Sequence, residues 1–202
     1  MCGIVGYIGT RDAAPIILES LKKLEYRGYD SAGIAVLNEG HVTIRRSEGK
    51  LRNLEEILRQ DPLQGNVGIG HTRWATHGIP NDVNAHPHVS STGEFALVHN
   101  GIIENYTALR ERLIQRGYEF ESQTDTEVLV RLVEDVRETT GLPLDEALQQ
   151  ALRHVVGTYG IAVVSGEDPD LLIAARKGSP LILGVGDGEF FLGSDAAPII
   201  EY

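Results

Sequence analysis

The sequence predicts a layered α+β fold with largely antiparallel sheets. Three observations lead there. Short β-rich segments come first, amphipathic helical segments follow, and a second run of short strands comes last, so strands and helices are largely segregated. Several strands are separated by Gly/Asp-rich stretches of hairpin length. The 202 residues are 42% hydrophobic and 23% charged, which fits about one packed domain and excludes disorder as the main state.

Residues 3–8 are short, apolar and β-rich, the pattern of a buried strand. Residues 12–24 read as a helix, with Asp12 as N-cap and Ile17, Leu18, Leu21 and Leu24 at helical spacing. Residues 32–37 and 41–46 form a hairpin around Asn38-Glu39-Gly40. A short helix is expected over 51–59, then strands over 67–73 and 95–100. The stretch between them, 77–93, is polar and irregular, and structureless segments of that length are usually functional or disordered. Helices are expected over 105–116 and 126–139, the second carrying Val128, Leu129, Leu132, Val133 and Val136. A third covers 144–155, opened by Pro143. Strands over 159–165, 171–177, 181–185 and 189–193 follow, and 196–202 begins a helix.

Composition narrows the function classes. Lys plus Arg number 18 against 29 Asp plus Glu, a formal net charge of −11, which lacks the electrostatic footprint of a nucleic-acid or anionic-membrane binder. Cys2 is the single cysteine, so no internal disulfide can form, in keeping with a reducing cytoplasm. No secretory signal is visible, and no apolar run approaches the roughly 18–20 residues of a membrane span. The glycine-rich stretches 65–70 and 184–188 match neither a phosphate-binding loop nor a dinucleotide fingerprint, and no G-x-S-x-G elbow occurs. His86-Pro87-His88 invites a metal, but no companion ligand stands at metal-binding spacing, so neither metal nor other cofactor is expected.

Cys2 has two readings. It can be a small buried hydrophobe at a strand start. Its second position also permits removal of Met1, which would place a thiol and a free α-amine on one residue. An α-amine titrates near 7.7–8.0 and a thiol near 8.5, so the amine can take the thiol proton close to neutral pH and release the nucleophilic thiolate.

Four further segments carry chemistry. Tyr26-Arg27-Gly28-Tyr29-Asp30-Ser31-Ala32-Gly33 reads as a helix C-cap at Gly28 and a structured turn. In His71-Thr72-Arg73-Trp74-Ala75-Thr76-His77-Gly78, Arg73 offers a planar fork for a carboxylate, Thr72, Thr76 and His77 add neutral donors, and Trp74 can serve as a lid. The plainer alternative there is a surface Arg and a half-buried Trp. In His99-Asn100-Gly101-Ile102-Ile103-Glu104-Asn105, the Asn100 amide and Gly101 N–H suit an oxyanion hole, or mark only a strand-to-helix turn. Thr124-Asp125-Thr126-Glu127 fits a capping box, and Asp125 in the first turn can also pair with a substrate ammonium.

Together with Cys2-Gly3-Ile4-Val5-Gly6, these segments resemble, in order and over essentially the whole chain, the N-terminal glutaminase domain of the glucosamine-6-phosphate synthase family. These are the class II glutamine amidotransferases that act as isomerizing glutamine–fructose-6-phosphate aminotransferases. The 26–33 and 71–78 strings distinguish that family from other class II members. The resemblance implies a four-layer αββα N-terminal nucleophile hydrolase fold with two mainly antiparallel sheets. It implies Cys2 as nucleophile with its α-amine as base, Asn100 and Gly101 as oxyanion hole, and Arg27 as an organising residue near the nucleophile. Arg73, with Thr76 and His77, becomes the clamp on the glutamine α-carboxylate, Asp125 the partner of the α-amine, and Trp74 part of the lid and ammonia gate.

The implied half-reaction turns L-glutamine into glutamate and ammonia through a γ-glutamyl thioester. In the full-length enzyme an isomerase/synthase domain would use the ammonia on fructose 6-phosphate. The resemblance places that domain, and the last strands of the glutaminase domain, outside the 202 residues, and implies a cytoplasmic homo-oligomer. Two alternatives stay open: a catalytically silent glutamine-binding fragment, and the glutaminase of another class II amidotransferase.

Overall fold

The alternation of side chains along the strands builds three separate cores and so four layers. A computed structural model describes residues 2–200. Six strands, β1 (Gly3–Ile8), β2 (Ser31–Asn38), β3 (His41–Glu48), β4 (Val67–Arg73), β9 (Ile182–Val185) and β10 (Phe190–Gly193), form one sheet. Its order is β3-β2-β4-β1-β10-β9, and every pairing is antiparallel. A second antiparallel sheet has the order β5-β6-β7-β8, from β5 (His88–Val89), β6 (Phe95–Ile103), β7 (Gly157–Ser165) and β8 (Leu172–Lys177).

In β1, Val5 and Tyr7 pack toward helices α1 (Ala13–Lys22) and α2 (Leu51–Gln60), while Ile4 and Ile8 turn to the opposite face. In β6, Phe95 and Leu97 pack under helices α3 (Tyr106–Gln115), α4 (Asp125–Thr140) and α5 (Leu144–Leu152), while Ala96 and Val98 join the other core. That shared core, with Ala35, Ile69 and Ala162, joins the two sheets. The layers therefore run helix, sheet, sheet, helix, as the resemblance implies.

Glycine sets one of these layers. Gly68 and Gly70 of β4 face α1, and a Cβ on Gly70 would stand 2.3 Å from Ile17 Cγ2. With no side chain there, α1 lies directly against the sheet.

Several element boundaries differ from the sequence reading. The helix expected over 12–24 ends at Lys22, and a 3-10 turn, Glu25–Arg27, carries the chain to Gly28, whose φ of +74° caps that turn instead. Asp12 holds the N-cap position but makes no side-chain cap bond. The α5 helix stops at Leu152. The expected irregular stretch contains the two-residue strand β5, because His88 and Val89 pair with Leu97 and Ala96. The strand expected to end at Asn100 continues to Ile103, so Asn100 and Gly101 lie inside a strand rather than at its junction with a helix. The expected C-terminal helix reduces to a turn closed by Ile199 and Ile200 N–H groups on Ala196 O; residues 201–202, like Met1, lie outside the described residues.

Candidate active site

The site forms where β1 begins, β4 ends and α4 begins, beside Asn100 and Gly101 within β6. Cys2 stands one residue before β1, paired in register with the end of β4 through Gly3 opposite Thr72. The Trp74 N–H donates to Cys2 Sγ at 3.2 Å. The Cys2 carbonyl accepts from Asn100 Nδ2 at 3.1 Å and from Arg27 Nη1 at 3.4 Å. Arg27 also donates to Ser194 Oγ at 3.0 Å and lies 3.9 Å from Asp195 Oδ2. Burial pushes the Cys2 thiol pKa up, against the lowering effect of the Trp74 N–H.

Cys2, Arg73, Trp74, Thr76, His77, Gly101 and Asp125 line one cavity, with His86, His99, Thr124 and Thr126 behind them. All nine site residues read from the sequence thus converge: seven line the cavity, while Asn100 and Arg27 reach it through the Cys2 backbone. The cavity holds about 20 Å³, room for about one water and too little for an amino acid.

Arg73 is buried at the end of β4. Its Nη2 donates to the carbonyls of His77 and Gly78, while Nη1 has no partner among the described residues. Burial lowers its pKa and Asp30 and Asp125 oppose that, but a guanidinium stays charged. Asp125 opens α4, where Thr124 Oγ1 caps the helix by accepting from Glu127 N–H at 3.2 Å. Only half of the expected capping box forms, because the Glu127 carboxylate accepts from Glu121 and Ser122 N–H groups instead. Asp125 Oδ2 accepts from Ile103 N–H at 2.9 Å, and Oδ1 lies 3.8 Å from His77 Nδ1. The buried carboxylate and the buried cation are thus both held in place by backbone groups. Trp74 is 55% exposed and lies over Gly28, where a Cβ would meet its ring at 2.9 Å.

A neutral polar network backs the cavity. His71 Nε2 faces Asn100 Oδ1 at 2.9 Å and His99 O at 3.1 Å. Its ring stacks on His86, with centroids 4.2 Å apart. Thr126 Oγ1 bonds both His86 Nε2 and His99 Nδ1, and His88 Nε2 meets Thr124 Oγ1. His86 and His88 are thereby engaged by hydroxyls, and among the described residues no group of three or more His, Cys, Asp or Glu could hold a metal. Burial lowers the pKa of all four histidines, His71 to about 3, so each is neutral at pH 7.

The sequence reading assigned no part to Asp30, His71, Thr126 or Ser194. Asp30 accepts from Ala75 N–H and Ser31 Oγ and so ties down the start of the loop beyond β4. The first three lie within the quoted segments, which was their only signal; Ser194 had none.

Comparison with known proteins gives three findings. A family model described as a glutamine amidotransferase domain matches residues 71–201. All of the chain aligns at 58% identity with a glutamine–fructose-6-phosphate aminotransferase [isomerizing] of Chlorobaculum tepidum, and at 55% with that of Bacteroides thetaiotaomicron. The chain spans 33% of the length of each of these curated relatives. Among solved structures, the glutamine phosphoribosylpyrophosphate amidotransferase of B. subtilis, complexed with ADP and GMP, superimposes with a TM-score of 0.85 at 25% identity. The match covers 99% of this chain and 44% of that one.

Proposed function

This chain belongs to the glutamine amidotransferase family, and from that premise we propose that it hydrolyses L-glutamine to glutamate and ammonia on Cys2. The observation that carries the reading is the buried Arg73 Nη1, a charged donor without a partner among the described residues, in one cavity with the Cys2 thiol and the Asp125 carboxylate. Free glutamine offers a carboxylate, an ammonium and a side-chain amide, and these three groups answer them.

Once Met1 is removed, the Cys2 α-amine takes the thiol proton and Sγ attacks the glutamine side-chain amide carbon. Asn100 and Gly101 receive the oxyanion: one Nδ2 hydrogen of Asn100 is spent on Cys2 O, and the second remains for the substrate. Collapse breaks the C–N bond, and ammonia leaves with the proton held by the α-amine. Water then cleaves the γ-glutamyl thioester, restoring the thiol and releasing glutamate. Arg73, aided by Thr76 and His77, holds the α-carboxylate, and Asp125 holds the α-ammonium. Arg27 fixes the Cys2 backbone, and Trp74 covers the site.

In a full-length protein the ammonia would pass to a further domain that converts fructose 6-phosphate into glucosamine 6-phosphate, in a cytoplasmic homo-oligomer. The identity to the two aminotransferases favours that acceptor over phosphoribosylpyrophosphate. Among the described residues no helix is long and apolar enough to cross a membrane.

Intact mass before and after treatment with diazo-oxo-norleucine, together with glutamate release, tests the reading. One adduct on a chain lacking Met1, plus hydrolysis, is expected. A processed chain that neither reacts nor hydrolyses glutamine would be a silent binding module.

A further inference from the structure

His71 projects from the inner face of one sheet and Asn100 from the inner face of the other. In β4, His71 has the parity of Val67 and Ile69, which pack between the sheets. In β6, Asn100 has the parity of Ala96 and Val98, which pack in the same core. The two side chains meet at 2.9 Å.

The chemistry of the contact is fixed at both ends. Both atoms facing His71 Nε2 are carbonyl oxygens, which only accept. A neutral imidazole therefore carries its single proton on Nε2, leaving Nδ1 a bare acceptor, and Nδ1 has no partner among the described residues. At the other end, Asn100 Nδ2 faces Cys2 O, again an acceptor only. Both constraints give the Asn100 amide one orientation, NH2 toward Cys2 and oxygen toward His71. Stacking on His86 and complete burial hold the imidazole plane. The flipped amide would set its NH2 against the Nε2–H donor and its oxygen against the Cys2 carbonyl.

We propose that His71 is a positioning residue for glutamine hydrolysis, orienting the Asn100 amide so that its N–H faces the oxyanion. This rests on the glutaminase reading above. His71 touches no substrate atom; it acts through Asn100.

Steady-state glutaminase kinetics of the Met1-processed chain test it, with His71→Leu, His71→Gln, His71→Asn, Asn100→Ala and the double variant His71→Leu/Asn100→Ala. Loss of one orienting hydrogen bond should lower kcat about tenfold in His71→Leu, with KM for glutamine within about threefold. The longer Gln side chain can place an N–H near the Nε2 position and should recover most of that loss, whereas Asn, one carbon shorter, should not. In the Asn100→Ala background, His71→Leu should cost less than about threefold, because the group it orients is already gone. Melting temperature and iodoacetamide alkylation of Cys2 report folding and thiol access independently of the oxyanion hole.

Equal kcat for the Gln and Asn variants overturns the proposal, and this holds even if the Leu variant does not fold. So does a full His71→Leu loss on top of Asn100→Ala, the result of a purely structural role. A processed wild-type chain that releases no glutamate instead overturns the glutaminase reading itself. A wild type that is active and indifferent to position 71 overturns only this inference.

Discussion

The backbone N–H of Trp74 donates to the sulfur of Cys2 at 3.2 Å, which anchors Cys2 to the first residue of the loop beyond β4. That single N–H does not offset burial, and the thiol pKa stays raised. Near pH 7 the sulfur is therefore protonated and needs a base. With Met1 removed, alkylation of Cys2 by iodoacetamide should rise through the α-amine range of about 7.7–8.0. With Met1 retained, it should rise only above the usual thiol range, and at pH 7 be at least about tenfold slower. Mass-resolved alkylation of the two forms measures this, and equal rates would remove the α-amine as base.

Asn100 and Gly101, the proposed oxyanion hole, should separate catalysis from stability. Asn100→Ala should lower kcat about 10²–10³-fold. It leaves the Cys2 carbonyl bonded to Arg27, so the melting temperature should change little. Gly101→Ala should lower both. Gly101 has φ +132°, and a Cβ there would stand 2.1 Å from Thr158 O on the neighbouring strand. The backbone must shift, at a cost of about 1–3 kcal/mol, or roughly 2–12 °C for a chain of this size. Thermal melts beside kinetics check the contrast; a stable Gly101→Ala would refute the close approach of β6 and β7.

On the proposed reading, recognition of the glutamine ammonium by Asp125 rests on charge rather than on hydrogen-bonding capacity. Asp125→Asn keeps an acceptor for Ile103 N–H, so the start of α4 should stay in place. It removes the anion proposed to meet the glutamine ammonium. A lost charged hydrogen bond should raise KM for glutamine about 10–100-fold, with a smaller change in kcat. A kcat effect larger than the KM effect would place Asp125 in the chemistry instead.

The cores were legible because their signal is local. The Val128–Val136 stripe of α4 and the apolar run of β1 follow from spacing alone, and Thr124 from its cap chemistry. The segments that hold Cys2, Arg73, Asn100 and Gly101 were legible as motifs, and the fold brings these residues together. What was not legible depends on pairing between distant segments. Gly101 reads as a breaker, yet β6 continues through it because Gly101 pairs with Tyr159 and Ile102 with Thr158. Strand β5 exists only because β6 lies beside it. The link from His71 to Asn100 spans two sheets and 29 residues, and no periodicity encodes it.

The same buried histidines should make the fold acid-labile in a defined window. His71, His86, His88 and His99 are held neutral, with folded pKa values below the ordinary 6.5, that of His71 at about 3. Unfolding returns each to about 6.5. Between those values the unfolded chain binds more protons than the folded one, so stability is full above about pH 6.5 and falls as pH drops. Each histidine contributes a slope of up to about 1.4 kcal/mol per pH unit. From pH 6.5 to 5 most ordinary carboxylates remain ionised in both states, which isolates the histidine contribution. Urea unfolding at half-unit pH steps should show stability declining across that range, with net proton uptake on unfolding. His88→Gln, which keeps a polar contact for Thr124 Oγ1 and removes one titrating group, should make the slope shallower. A flat profile over this window would mean that these rings are already charged or solvated in the folded chain.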